Sequence, residues 1–234
     1  MKNSHAVIIC IGFVLAAFVF GMFFYSSRAT SETVSIVGAA TMPIDSDIVK
    51  WRITLGTRTG LNDLNRGYEK FGAVISELIG TLEEKGLKKQ DISVQPPNSY
   101  QSYDKNGQVS GYNLSQVVTV ITAEIDVVER LALTPSELAS GGVYLQNSSL
   151  EYFNSELDSI KLSLLADATK DARTRAERIA TNSGVSLGKV KSLRAGVFQI
   201  REPYSTDVSA YGVYNTQSKD KEITVTVRAS FDLN

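Results

Sequence analysis

The side chains that most often carry chemistry are scarce in this chain and badly placed for it. It has one histidine, His5, and one cysteine, Cys10, both inside or beside an uncharged apolar run from Ala6 to Tyr25. Ser-His and Cys-His nucleophilic mechanisms need an imidazole as base, and zinc sites draw on Cys and His. Neither is offered by the rest of the chain, so no metal site and no cofactor site is expected. Carboxylates remain. Asp45-Ser46-Asp47 lies between two strand candidates, where aspartate is common as a turn former, and it is the one place where a carboxylate-dependent hydrolase would be sought. Gly184-x-x-x-Gly188-Lys189 is one residue short of a phosphate loop, lacks the following Ser or Thr, and runs from helix to strand, the wrong order. Tyr204, Tyr211 and Tyr214 stand among Ser, Thr, Gly and Asn between Glu202 and Asp220, a composition suited to adaptable contacts. That segment reads either as a solvated hairpin loop or as a contact or oligomer-forming surface.

The apolar run sets location. Some 20 apolar residues at about 1.5 Å each span roughly 30 Å, the thickness of a bilayer core, and a signal peptide's apolar region is usually only about 7–15 residues. Residues 1–29 therefore read as an N-terminal transmembrane helix serving as an uncleaved anchor, with a cleaved signal ending at Ser27-Arg28-Ala29 as the alternative. Lys2 and Arg28 flank the run and signal orientation weakly. The favoured topology is a single pass of the cytoplasmic membrane, with residues 30–234 as one domain facing the periplasm or exterior.

Composition bounds that domain. The chain carries 24 Lys+Arg against 25 Asp+Glu, a formal net charge of −1, with no basic block to neutralise phosphates, so no nucleic-acid partner is expected. With one thiol no disulfide can form within the chain, and stability must come from a packed core.

Hydrophobic periodicity gives the elements. Val34 to Ala40 is a short strand candidate. Ile48 to Thr59 is a stronger one, because Val49, Trp51, Ile53 and Leu55 alternate with polar residues. A helix is predicted over 61–85, with Leu64, Tyr68, Phe71, Ile75, Leu78, Ile79 and Leu82 on one face and Gly86 ending it. Strands follow over 91–103 and 111–123, joined by Asp104-Lys105-Asn106-Gly107. Asp126-x-x-Glu129 reads as a capping box, Thr134-Pro135-Ser136-Glu137 as the start of another turn, and Val143 to Phe153 as a strand. The longest helix is predicted over 156–182, with a stripe of Leu157, Ile160, Leu164, Ala168, Ala172, Ala176 and Ile179, and with Asp171 and Arg175 paired on its outer side. Strands over 189–201 and 222–231 complete the chain. A helix ending at glycine plus an apolar residue occurs twice (Gly86-Leu87, Gly184-Val185), each time followed by strand, loop and strand. The order fits two loosely repeated halves and an α+β fold, an antiparallel sheet packed against two long helices.

Several stretches then resemble one family. Gly111-Tyr112-Asn113-Leu114-Ser115-Gln116-Val117-Val118-Thr119-Val120 is similar to the "GY…SQ…V.V" strand of the SIMPL domain family, which follows a Gly-ended helix and an acidic-Ile strand start, here Asp91-Ile92. Ala166-x-Ala168-x-x-Asp171-Ala172-x-x-Arg175-Ala176-Glu177-x-Ile179-Ala180, running on to Gly184-Val185-x-Leu187-Gly188-Lys189-Val190, resembles its alanine-rich helix, and Val34-Ser35-Ile36-Val37-Gly38 its opening. The chain departs from the family at Gly38-Ala39-Ala40, at Pro43-Ile44-Asp45 and at Ser218-Lys219-Asp220-Lys221, which bears on loop geometry. The resemblance implies a bacterial extracytoplasmic protein without an established enzymatic activity, sometimes linked to envelope or oxidative stress, and it brings no catalytic residues. The expected function is binding or self-assembly, with a homo-oligomer, the membrane through Ala6–Tyr25 and an unidentified protein as partners. A carboxylate hydrolase using Asp45 and Asp47, or a passive ring- or channel-like assembly, are the alternatives.

Overall fold

The computed structural model describes residues 2–28, 32–138 and 140–234, and the side chains of the first stretch from Ile11 to Tyr25 only. His5, Cys10 and the Ser27-Arg28-Ala29 segment therefore lie outside the described side chains. The apolar run forms a helix, α1 (Lys2–Arg28). The expected transmembrane helix is not found: among the described residues, no helix is long and apolar enough to cross a membrane.

The rest is α+β. The strands are β1 (Thr33–Asp45), β2 (Ile48–Thr59), β3 (Ile92–Val94), β4 (Asn98–Tyr103), β5 (Val109–Thr122), β6 (Tyr144–Phe153), β7 (Leu187–Ala195), β8 (Gln199–Arg201), β9 (Val213–Tyr214) and β10 (Asp220–Leu233). The helices after α1 are α2 (Leu64–Glu84), α3 (Ile125–Ala132) and α4 (Leu157–Asn182). Among the described residues the strands form two five-stranded sheets, not the single sheet expected. One runs β3-β5-β2-β6, with β4 also on β5; the other runs β1-β10-β8-β9, with β7 also on β10. It is mixed, because β8 and β9 are parallel. β1 and β2 part company at Ser46-Asp47, where the Ser46 amide donates to the Lys219 carbonyl and the Asp47 amide to the Phe153 carbonyl.

Two compact units emerge. The larger comprises residues 40–167 and 196–226. Its core is the β2-centred sheet against α2 and α3: Val49, Trp51, Ile53 and Leu55 are fully buried, in register with Val118 and Val120 of β5. Phe71, Ile75, Leu78 and Leu82 of α2 close it from above, with Leu64, Tyr68 and Ile79 packed at the margin. The strand expected over 91–103 is broken by Pro96-Pro97, since proline offers no ladder donor, and begins with a 3-10 turn at Lys89–Asp91. Strand 189–201 likewise divides after Ala195, and both pieces, β7 and β8, pair with β10.

The smaller unit comprises residues 1–39, 168–195 and 227–234. Ala172 and Ala176 of α4 meet Ala229 and Phe231 of β10 there, flanked by Val34, Ile36 and Leu187. Gly38 makes this approach possible: a Cβ at that position would overlap the Ala172 nitrogen and the Ala168 carbonyl. The buried stripe of α4 runs through Leu164, Ala168, Ala172, Ala176 and Ala180, in unbroken steps of four. Ile179, expected on that stripe, is 44% exposed instead.

Both long helices end the same way. The Gly86 and Leu87 amides donate to the Glu83 and Leu82 carbonyls, and the Gly184 and Val185 amides to the Thr181 and Ala180 carbonyls. With Gly86 and Gly184 at positive φ, these are two Schellman caps.

Candidate contact loop

The segment from Glu202 to Lys219 is fastened at both ends. At the near end β8 and β9 pair in parallel, Gln199 opposite Val213 and Ile200 opposite Tyr214. The Gln199 side chain donates from Nε2 to the Ser209 carbonyl at 2.7 Å and accepts the Ser209 amide at 3.3 Å. Arg201 donates to the Asp207 carbonyl at 3.4 Å and pairs with Glu222 at 3.2 Å. Internal bonds tighten the tip: Ser205 and Ser209 hydroxyls accept the Asp207 and Tyr211 amides.

At the far end Asn215 Oδ1 accepts the amides of Gln217 and Ser218, an Asx-type turn. The Tyr152 amide donates to the Thr216 carbonyl at 2.7 Å. Lys219 Nζ reaches Asp126 at 3.1 Å and Glu129 at 3.5 Å, and Glu129 accepts the Tyr152 hydroxyl at 2.9 Å. The hydrogen bond to Asp126, with both carboxylates near, holds the Lys219 ammonium above its ordinary pKa. Tyr152 is pushed up to about 12 by burial, then by its bond to Glu129 and that carboxylate's charge.

Asp126 and Glu129 therefore do not form the expected capping box. Glu124 stands at the N-cap of α3 with no side-chain cap bond, and both carboxylates turn to Lys219, which gives them an ionic partner instead of an exposed amide. Thr134-Pro135-Ser136-Glu137 does form a turn, a 3-10 turn over Pro135–Glu137 with proline in its first position.

The three tyrosines separate into two kinds. Tyr204 is 100% exposed and Tyr211 97%. Tyr214 packs edge-on against Phe153, ring centroids 6.1 Å apart, and burial raises its phenol pKa. Tyr204 also holds φ at +65°, the one non-glycine residue at positive φ among the described residues. The segment thus presents two aromatic rings to solvent from a backbone pinned on both sides.

Asp45 and Asp47 do not assemble as a catalytic pair. Both Asp47 carboxylate oxygens are taken by Ser155, one by its amide at 2.8 Å and one by its hydroxyl. Burial raises the Asp47 pKa somewhat, but the Ser155 hydroxyl and backbone bonds outweigh it and hold the group below the usual carboxylate value. At Asp45 it is the backbone carbonyl that is used, accepting from Asn154 Nδ2 at 2.7 Å. Asp47 fastens the chain just before α4 and, held below the usual carboxylate value, has no proton to give near neutral pH. Among the described residues, no three metal-ligating side chains come together.

Two features escaped the sequence reading. Lys221 is only 2% exposed; its ammonium donates to the Ser218 carbonyl and lies 5.9 Å from the centre of the Tyr152 ring. Burial pulls its pKa down, against the charge of Asp220. The signal was present in the spacing, since Lys221 falls on the same inward parity as Ile223, Val225 and Val227. The second is a polar groove between α2 and the segment after α3, built from residues too far apart in sequence to form a motif.

The family model described as "SIMPL: Protein of unknown function (DUF541)" matches residues 34–231. The chain belongs to the SIMPL family. No curated protein matches the chain significantly.

Proposed function

We propose that this SIMPL-family chain acts by binding, with the Glu202–Lys219 segment as its contact surface and a second copy of the chain as the occupant. The observation that carries the reading is the pairing of Tyr204 and Tyr211, wholly exposed, with a backbone held by Gln199, Arg201 and Asn215. Tyrosine supplies large contact area at little cost in conformational entropy, and a loop already ordered loses little more on association. The reading is tested on the full chain in detergent micelles by light scattering. The wild type is expected to be oligomeric and a Tyr204→Ser/Tyr211→Ser variant monomeric, with unchanged circular dichroism. A monomeric wild type, or a variant that keeps the wild-type mass, overturns it.

We further place the domain outside the cytoplasm, tethered to the membrane through Ala6–Tyr25, with envelope or oxidative stress as its setting. In support, every described side chain of α1 is exposed, including Phe13 at 75%, Phe18 at 68% and Phe23 at 74%, an apolar surface that lipid would cover. A carboxyl-terminal reporter active only in the cytoplasm is expected to be silent; activity would overturn the topology. The hydrolase reading gains nothing from Asp47, whose carboxylate is committed to Ser155.

A further inference from the structure

Within the larger unit, the C-terminal half of α2, the 3-10 turn at Pro135–Glu137 and α3 enclose a groove crossed by one ion pair. Lys85 Nζ and Glu137 Oε2 are 3.0 Å apart, with side chains 49% and 41% exposed. The pair divides the groove in two. The larger chamber, about 380 Å³, has Val74 and Leu78 as apolar wall and Glu77, Thr81 and Ser140 as polar groups. The smaller, about 240 Å³, has Val127 and Leu131 as apolar wall and Arg130 and Thr134 as polar groups. The first is within the range of roughly 300–1,000 Å³ typical of small-molecule sites, and each sets a short aliphatic wall beside several polar groups.

The charges are unevenly shared. Lys85 and Glu137 line both chambers and neutralise one another. What remains in the larger chamber is Glu77, which accepts the Ser140 hydroxyl at 2.8 Å and has no cationic partner among the described residues. What remains in the smaller is Arg130, which has no anionic partner among them. One chamber thus carries an uncompensated negative charge and the other an uncompensated positive charge, each beside aliphatic surface. The bridge between them is half in water, where such pairs contribute little to stability. An incoming ammonium can replace Lys85 on Glu137 and an incoming carboxylate can replace Glu137 on Lys85, at little net loss of ion pairing.

We propose that this groove binds a small zwitterion with an apolar body, a free aliphatic amino acid or short peptide, its ammonium toward Glu77 and Glu137 and its carboxylate toward Arg130 and Lys85. The Lys85–Glu137 pair is the latch that the ligand opens. This site is separate from the contact loop, and neither depends on the other.

The probes are L-leucine and L-leucyl-L-leucine, each beside its C-terminal amide and its N-acetyl derivative, titrated into the full chain by calorimetry and by amide chemical shifts. At least one free zwitterion is expected to bind in the millimolar range or tighter, about tenfold better than either blocked form. Shifts should be confined to residues of α2, α3 and the Pro135–Glu137 turn. Arg130→Gln should remove the preference for the free acid over the amide, and Glu77→Gln the preference for the free amine over the acetyl form. Both side chains are exposed, so both variants are expected to fold as wild type, which the shifts outside the groove report directly. The proposal is overturned if neither zwitterion binds, if the blocked forms bind equally well, or if the two substitutions leave both preferences intact.

Discussion

The carboxylate of Asp171, halfway along α4, accepts the backbone N–H of Ala39 in β1 at 2.9 Å. The same oxygen lies 2.8 Å from Arg175 Nε, one helical turn on. Asp171 therefore satisfies a backbone amide of β1, while Arg175 holds the carboxylate in place. The Ala39 bond first, then the Arg175 bond, keep the Asp171 pKa below its usual value.

A group with a depressed folded pKa adds stability that is present above its unfolded value and lost as pH falls through the folded one. Asp171→Ala is expected to cost about 1 kcal/mol near neutral pH, the scale of a hydrogen bond to a charged acceptor at a partly exposed site. Asp171→Asn keeps an acceptor for Ala39 and should cost less. Urea unfolding should show the gap between wild type and Asp171→Asn closing below pH 3.8.

Next to Ala39, Gly38 sets how closely strand and helix approach. Gly38→Ala forces a methyl against helix backbone, which cannot rotate aside as a side chain would. A loss of about 2 kcal/mol or more is expected, at the upper end of overpacking costs, seen as a lower midpoint of thermal unfolding. Gly80 has nothing within 4 Å of its missing Cβ and sits inside α2. Gly80→Ala should stabilise by about 0.5–1 kcal/mol.

Lys221 and Tyr152 oppose one another at alkaline pH. The folded pKa of Lys221 lies below 10.5, so the unfolded chain binds the extra proton in that interval and stability rises with pH up to 10.5. Tyr152 runs the other way: from 10.0 to about 12 the folded chain holds the proton, and up to about 2 kcal/mol is lost across that window. Stability should therefore peak near pH 10. Lys221→Met should flatten the rise and Tyr152→Phe the fall, both measured by denaturant midpoints through the alkaline range.

Tyr204 separates stability from contact. At φ +65° glycine is unstrained, tyrosine is strained and a β-branched residue more so. Tyr204→Gly should unfold within about 1 kcal/mol of wild type, because relief of strain offsets the gain in unfolded-chain entropy. Tyr204→Val should be the less stable of the two. If the loop is the self-association surface, Tyr204→Gly nevertheless weakens the oligomer.

What could be read directly from the sequence was local and periodic. The alternation of Val49, Trp51, Ile53 and Leu55 placed β2, and the three- and four-residue steps of Phe71, Ile75, Leu78 and Leu82 placed α2, since burial on one face leaves a fixed period. Gly86 and Gly184 marked both helix ends because each cap needs positive φ. What escaped depended on long-range partners. Asp47 waits for Ser155, 108 positions away, and Asp126 for Lys219, 93 positions away; neither spacing carries a period. The second sheet was hidden for the same reason, as the divergence at Ser46 rests on bonds to Lys219 and Phe153. The contact loop was legible as composition but not as geometry: nothing in the spacing of three tyrosines says that Tyr214 turns in while Tyr204 and Tyr211 turn out.

The fastening of that loop has one more consequence. Gln199 and Arg201 grip it through the carbonyls of Ser209 and Asp207 and the amide of Ser209, atoms that every residue but proline brings. The grip is blind to what the loop spells. Substitutions at its outward positions can rewrite the surface it offers without loosening its hold on β8. In this chain the reading head and the frame that carries it are free to diverge, one quickly and the other slowly.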